Sequence, residues 1–233
     1  LTEVIVDWLL REIGVPPVCA IFVGGGRFDL LLPLSAHNKL KALQKQLEDW
    51  LLREFSGEIG ILLAVETAFP DDFGDTRQIS QKLNAHLDNL KRRKWLSHLA
   101  QEKFFEPGGE QWHVCKVCQL TPMNESGVCA LCSQQEDIGT HLPHVRYLAF
   151  CYQGEPVWPD EQVIRFPNGP FAAQIAIVRK DDDVKKLLAS KCRVVLYAVN
   201  EPQGFIYPGV ASTFRFLANA APKALEKLCI GDE

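Results

Sequence analysis

The chain has 233 residues, of which 47% are hydrophobic and 23% are charged, a composition typical of a folded globular protein with one large or two small domains. Its formal net charge of −4 argues against a general electrostatic binder of nucleic acid. No apolar run approaches the ~20 residues of a transmembrane helix and no signal peptide is visible, which predicts a cytoplasmic protein without a membrane partner. Because Leu1 stands where an initiator methionine would, we expect a chain that was trimmed or cut from something longer.

The N-terminal part of the chain predicts the element order helix, strand, strand, helix, strand. Apolar residues recur at three- and four-residue steps before Gly14, and the glycines at 24–26 separate two apolar runs as a hairpin turn would. Ser35 is the expected N-cap of the second helix, and Gly57 is its expected end. The predicted bounds are 2–13, 18–23, 28–32, 36–56 and 58–66. This is the split βαββαβ, or ferredoxin-like, order without its first strand, and a sheet that lacks one strand exposes an unpaired edge.

The remainder of the chain predicts a long helix followed by a strand-rich region. Asp75 or Thr76 is the expected cap of a helix that runs to about residue 105. The cationic run 91–94 on this helix, followed by Trp95, indicates either a solvated face or a grip for an RNA backbone. One more helix is predicted at about 183–190, and strands are predicted at 145–152, 162–166, 172–178, 192–199 and 212–219. The fold class is therefore α+β.

The eight cysteines are unevenly distributed. Four are dispersed in apolar segments, and four form two CxxC pairs that ten residues separate. Each CxxC lets one turn present two thiolates to a single ion, and four thiolates complete the tetrahedron that zinc prefers. We therefore predict a closed, structural zinc site formed by Cys115, Cys118, Cys129 and Cys132. Four free thiols or a redox pair are the alternatives, and the dispersed thiols indicate a reducing compartment.

Gly24, Gly25 and Gly26 form the turn of the predicted hairpin. Three successive glycines indicate either a tight turn alone or a backbone against which something packs closely. A Gly-Gly hairpin in a βαββαβ domain is the arrangement of polymerase and nucleotidyl-cyclase palms, in which carboxylates after the glycines hold two divalent ions. Gly26 and Arg27 occupy those positions here. The chain is therefore predicted to hold no two-metal site and no catalytic residue, which disfavours an active nucleotidyl cyclase.

Taken together, these segments resemble the large palm-domain subunit, a cyclic-oligoadenylate synthetase, of type III CRISPR effector complexes. The matching stretches are LLREIGVPP, VCAIFVGGGRFDLLLP, LEDWLLREFSGEIGILLAVE, the double CxxC and the strand-rich region that ends in STFRFLANAAPK. Such subunits carry an HD nuclease domain, a degenerate first palm, a zinc module, a second palm with Gly-Gly-Asp-Asp and a helical C-terminal domain. Neither the HD motif nor Gly-Gly-Asp-Asp is present in this chain, which therefore resembles the non-catalytic middle portion.

The resemblance implies a role in RNA-guided antiviral defence. Gly24, Gly25 and Gly26 would border an ATP pocket shared with a second palm domain, in cis or in trans, where ATP and Mg are needed for cyclic oligoadenylate synthesis. Guide RNA and target RNA within a multi-subunit ribonucleoprotein are the implied partners.

The resemblance also implies a division of the chain into four parts. These are a degenerate palm with its following helix at 1–106, a zinc module at 107–143, a β-rich region that completes the palm or links onward at 144–220, and a linker or tail at 221–233. The alternative function is a free-standing zinc-containing scaffold that binds protein or RNA without nucleotide.

Overall fold

The computed structural model of the protein describes residues 1–55, 57–99, 113–152, 158–159, 162–166, 169–171, 173–189, 192–199 and 210–214. The chain divides into two compact units. The first comprises residues 1–109 together with 168–171, and the second comprises residues 110–167 and 172–233. The predicted linker or tail at 221–233 lies outside the described residues.

Two amphipathic helices supply the buried core of the first unit. Helix α1, Thr2–Ile13, has the predicted bounds and ends at Gly14, whose φ of 84° is the left-handed conformation that glycine favours at a helix end. Helix α2 spans His37–Phe55. Both helices bury one apolar stripe, as their sequence periodicity predicts. The buried side chains are Val4, Ile5, Val6, Trp8, Leu9 and Leu10 in α1 and Leu40, Leu43, Leu47, Trp50 and Leu51 in α2.

Phe171 belongs to this core although it lies far along the chain. Its ring meets the ring of Trp50 edge-on, with centroids 5.0 Å apart, and the ring of Trp8 with centroids 6.2 Å apart. Phe171 is 3% exposed. The short segment that carries it therefore returns to the first unit because it completes an aromatic cluster.

The predicted hairpin is confirmed. Strand β1, Ala20–Gly24, pairs antiparallel with strand β2, Arg27–Leu30, across a two-residue turn. Both turn residues, Gly25 and Gly26, have positive φ, 58° and 77°, which is the requirement of a type I′ turn. The first strand begins two residues later than predicted because Pro17–Cys19 form a 3₁₀ turn.

Two predictions for the first unit are wrong. Ser35 does not cap α2, because a 3₁₀ turn, Leu34–Ala36, leads into that helix. Residues 58–66 form no strand, because no described residue pairs with their backbone in a ladder. The N–H of Leu63 donates instead to the side-chain oxygen Oε1 of Gln44 at 2.9 Å. The observed order is therefore helix, hairpin, helix without the final strand, and the ferredoxin-like palm remains a prediction.

The predicted long helix is broken into two pieces. Helix α3, Arg77–Arg92, and the single-turn helix α4, Leu96–Leu99, flank a turn in which Trp95 has a φ of 65°. The Trp95 ring lies against the turn that follows α2: a Cβ placed on Gly60 would be 3.2 Å from the ring. This packing redirects the chain. Because the contact joins residues distant in the sequence, helical periodicity alone did not predict the break. Residues 100–112 lie outside the described part of the chain.

Side-chain hydrogen bonds hold these helices at both ends. Thr76 is the N-cap residue of α3 but its side chain makes no capping hydrogen bond, and the carboxylate of the preceding Asp75 accepts the N–H of Arg77 at 3.1 Å. His98 on α4 is 5% exposed, and its Nε2 lies 2.8 Å from Oδ1 of Asp49 on α2. A buried imidazole with a carboxylate partner satisfies the polar group that burial would otherwise penalise.

The second unit contains a five-stranded sheet in the order β4-β5-β3-β6-β7. All pairings are antiparallel except the parallel pair β6-β7. Strand β3 is central and fully buried, with Tyr147 opposite Val178 on one side and Ala198 on the other. The strands are β3 Tyr147–Tyr152, β4 Val163–Arg165, β5 Ala173–Val178, β6 Arg193–Val199 and β7 Val210–Phe214.

Two helices accompany this sheet. Helix α5 spans Ala130–His141 and precedes it in the chain. Helix α6, Asp181–Leu188, buries Val184 and Leu187 in the same core as the sheet residues. Because β3 is buried on both faces, it is a continuous apolar run in the sequence rather than an alternating one.

Among the described residues, no helix is both long and apolar enough to cross a bilayer.

Candidate functional site

The first CxxC lies in a tight knuckle at the start of the described part of the second unit. The N–H of Cys115 donates to the carbonyl of Thr121 at 2.9 Å, and the N–H of Gln119 donates back to the carbonyl of Cys115 at 2.9 Å. Gln119 has a φ of 58°, which closes the turn. The N–H of Val117 points to the Cys115 sulfur at 3.4 Å. The knuckle is therefore closed by backbone hydrogen bonds, and it directs the N–H of Val117 at a sulfur atom, a contact that can stabilise a thiolate.

The second CxxC lies at the N-terminus of helix α5. Cys129 is the N-cap of that helix, and its sulfur accepts the N–H of Cys132 at 3.4 Å. Gly127, with a φ of 83°, turns the chain into this position, and its carbonyl accepts the N–H of Lys116 from the first knuckle at 3.1 Å. The N-terminus of α5 therefore directs a backbone N–H donor at the Cys129 sulfur.

The structure brings all four predicted ligands together. Their sulfur atoms lie within 4.8 Å of one another, and the Cys118 and Cys129 sulfurs are 3.9 Å apart. Zinc–sulfur bonds of about 2.3 Å place tetrahedral ligands ~3.8 Å apart, so the observed spacing fits such an ion. All four thiols are free of disulfides, and three are buried. The cluster Cys115, Cys118, Cys129 and Cys132 could therefore hold a metal ion such as zinc.

The thiols of the cluster differ in acidity. The Thr121 hydroxyl, 3.5 Å away, and the nearby backbone N–H groups lower the pKa of Cys118 to about 6. Burial and the neighbouring sulfurs raise the pKa of Cys132 to about 12. Four adjacent thiolates repel one another unless a cation lies among them, so this donor set is suited to a soft divalent ion. Thr121 was not predicted as a site residue from the sequence, although its position three residues after Cys118 could have indicated this contact.

The glycines of the hairpin, unlike the four cysteines, offer no side-chain atoms that could bind a ligand. Gly24 is paired with Arg27, and a Cβ on Gly24 would lie 3.4 Å from the Phe22 ring. A Cβ on Gly25 or Gly26 would meet nothing within 4 Å. The type I′ turn by itself explains these two glycines, and nucleotide binding by Gly24, Gly25 and Gly26 stays a prediction.

The charged groups beside the hairpin turn pair with each other. The guanidinium of Arg27 donates to the carboxylate of Asp29 at 3.2 Å. This leaves one carboxylate, already engaged by a cation, where a two-metal palm needs several.

Comparison with known proteins gives a family match for most of the first unit. Residues 1–109, the N-terminal segment of that unit, match the family model described as Csm1 subunit domain B.

A second comparison extends beyond that unit. The chain is 22% identical over 177 residues to the CRISPR system single-strand-specific deoxyribonuclease Cas10/Csm1 (subtype III-A) of Enterococcus italicus, an alignment that covers 71% of this chain and 23% of the relative. The chain thus spans about a quarter of that relative's length. The two matches confirm the resemblance predicted from the sequence: the chain is similar to a portion of a type III CRISPR large subunit of the Cas10/Csm1 family.

Proposed function

We propose that the chain is the non-catalytic palm and zinc-module portion of its effector subunit, and that it helps to form the ATP pocket for cyclic oligoadenylate synthesis. The observation that carries the proposal is the succession of a domain B match at residues 1–109 and a four-thiol cluster beginning at Cys115. The complete assembly would act in the cytoplasm with guide RNA, target RNA and a second palm. The division at 106, 143 and 220 is part of the same proposal.

The palm interpretation is based on the unpaired backbone edges of the hairpin and of the segment at 58–66. Both strands of the hairpin have one outer edge without a described strand beside it. Ile21 and Phe22 on β1 are 65% and 49% exposed. An isolated two-stranded hairpin is marginally stable, so a further strand between the hairpin and residues 58–66 would complete the ferredoxin-like sheet and pair its open backbone edge.

In this proposal the hairpin turn contributes shape rather than chemistry. The carboxylates of the second palm would hold ATP and magnesium. The bound magnesium would supply the phosphoryl-transfer chemistry. The open space around Gly25 and Gly26 lets a base or ribose approach the backbone closely. Because the Arg27 cation already engages Asp29, the isolated chain should form no oligoadenylate with ATP and magnesium.

The test is a substitution that adds a side chain without straining the turn. Gly24 lies in a strand and does not have positive φ, so Gly24→Val avoids the backbone cost that valine would bear at Gly25. In the complete assembly we expect Gly24→Val to abolish oligoadenylate synthesis with zinc content and guide-RNA assembly unchanged. The control is Gly139→Ala in α5, where the added Cβ meets nothing within 4 Å.

Two outcomes would contradict this assignment. If the Gly24→Val assembly makes full product, Gly24, Gly25 and Gly26 do not border the nucleotide. If it melts lower and loses assembly together with activity, the hairpin is only structural.

A zinc-containing scaffold that binds a protein or RNA without nucleotide is the second candidate. The observation in its favour is the apolar surface of the first knuckle, where Val114, Val117 and Leu120 are 46%, 66% and 54% exposed. Apolar side chains grouped on a rigid knuckle are typical of a protein contact. This candidate predicts that Gly24→Val changes no activity of the assembly.

A further inference from the structure

The cationic run 91–94 at the end of α3 contains cations that have partners within the unit and cations that do not. Two of its four cations are used within the unit. The Lys91 ammonium lies 3.1 Å from Oδ1 of Asp88. The Lys94 ammonium donates to the carbonyl of Gly57 at 3.3 Å and lies 5.1 Å from the centroid of a Trp95 ring. The side chains of these two lysines therefore already have partners within the unit.

The other two cations, Arg92 and Arg93, are exposed, and their guanidinium groups form no hydrogen bond or ion pair with any described residue. This distinguishes them from the other arginines of residues 1–99, each of which has a carboxylate partner. The pairs are Arg11 with Asp7, Arg27 with Asp29, Arg53 with Glu54, and Arg77 with Asp75. In a chain of net charge −4, two adjacent unpaired guanidiniums form a local positive site.

The helix end does not account for both charges. A helix C-terminus carries the equivalent of about half a negative charge, and this favours cations in the last turn. Arg92, Arg93 and the adjacent Lys91 carry three positive charges in total. The carboxylate of Asp88 offsets one of these charges. The site therefore keeps a positive excess that an external anion can neutralise.

The backbone presents these two arginines from a fixed turn. The N–H of Arg93 donates to the carbonyl of Leu90 at 3.0 Å, and the carbonyl of Arg93 accepts the N–H of Leu96 at 3.0 Å. Trp95, packed beneath at positive φ, fixes the turn from the other side. A rigid support lowers the entropy that the guanidiniums lose when they bind a ligand.

We propose that Arg92 and Arg93 bind neighbouring phosphates of a single-stranded nucleic acid. The guanidinium presents a planar fork of N–H donors that matches a phosphate, and two forks in succession suit a flexible backbone better than one isolated ion. This rests on the proposed function, in which RNA lies against the assembly, and it assigns one contact of that RNA to this turn. The contact reads charge and carries no sequence preference.

The test measures how salt affects binding of the 233-residue chain to fluorescent oligouridine and oligodeoxythymidine of equal length. Each phosphate contact with a single strand contributes about 0.7 to the slope of log affinity against log salt. Arg92→Gln combined with Arg93→Gln should lower that slope by about 1.4. Between 50 and 200 mM salt the wild-type affinity should therefore fall roughly seven-fold more than that of the variant. Arg92→Lys with Arg93→Lys keeps the charge and should keep most of the slope.

The matched control removes two exposed cations that already have carboxylate partners. Lys185 and Lys186 on α6 lie 3.4 and 2.9 Å from Asp182 and Asp183, so the double change to Gln should leave the slope near that of wild type. Equal binding of RNA and DNA identifies a backbone contact, and preference for RNA adds a contact to the 2′-hydroxyl.

The proposal is overturned if the wild-type chain shows no salt-dependent binding, if the arginine variant keeps the full slope, or if the lysine control loses as much. Neither the four-thiol cluster nor the proposed ATP pocket includes Arg92 or Arg93. Failure here with those properties intact therefore rejects only this contact.

Discussion

Replacement of Cys118 by serine tests the metal centre most directly. Structural zinc contributes apparent free energies of roughly 10–16 kcal/mol in small peptides at neutral pH. Shared evenly among four thiolates, one ligand is worth about 3 kcal/mol, which corresponds to an affinity loss of about 100-fold. The Cys118 sulfur lies 3.9 Å from that of Cys129 and takes part in the 4.8 Å cluster, so its loss leaves an incomplete tetrahedron.

The assay is competition with a chelator. Purified wild-type chain should hold one zinc, and the Cys118→Ser variant should release it at a chelator concentration about 100-fold lower. Among the described residues, the hydrophobic cluster of the knuckles is small: three buried cysteines with the partly buried Cys118 and Val128 packed against them. Circular dichroism should therefore show loss of local structure together with the metal. Cys19→Ser, which changes a thiol outside the cluster, is the control and should leave the competition curve unchanged. Wild-type protein without zinc, or a Cys118→Ser protein with an unshifted curve, would refute the reasoning.

Three further predictions concern stability. Gly26→Ala forces a Cβ onto a φ of 77° and should cost about 1–2 kcal/mol in thermal unfolding, with Gly26→Asn costing less; equal costs would contradict a type I′ turn. Partial burial opposes ionisation of Asp49, but hydrogen bonds from His98 and Lys45 outweigh it and hold its pKa below the ordinary value. A lowered carboxyl pKa gives stability above about pH 4 that is lost as the pH falls, so Asp49→Asn should be less stable than wild type by roughly 1 kcal/mol at pH 7, and the difference should shrink as the pH falls below about 4. A pH-independent difference in urea unfolding would contradict this. Phe171→Ala removes a buried ring from two tryptophans and should destabilise the first unit by about 3–5 kcal/mol while zinc stays bound; loss of zinc would show that Phe171 supports the second unit.

The sequence alone determined those elements that depend on residues close together in the chain. Helix α1 has its predicted bounds because its apolar spacing and the glycine after it act within a few residues. The hairpin follows from two glycines that a two-residue turn requires. The CxxC spacing determined the four-thiol cluster, since each pair closes its own knuckle and only one loop had to bring them together.

Tertiary structure decided what depends on partners distant in the chain. Residues 58–66 have the composition of a central strand, but a strand exists only when another pairs with it, and no described residue does so. The long helical pattern after Thr76 breaks because Trp95 packs against the turn at Gly57 and Gly60, a contact between residues more than thirty positions apart. Phe171 lies in the first unit for a similar reason, because the two tryptophans that bury it are near the other end of the chain. Periodicity shows which face of a segment is apolar, whereas the neighbour that covers this face is selected only when the whole chain packs.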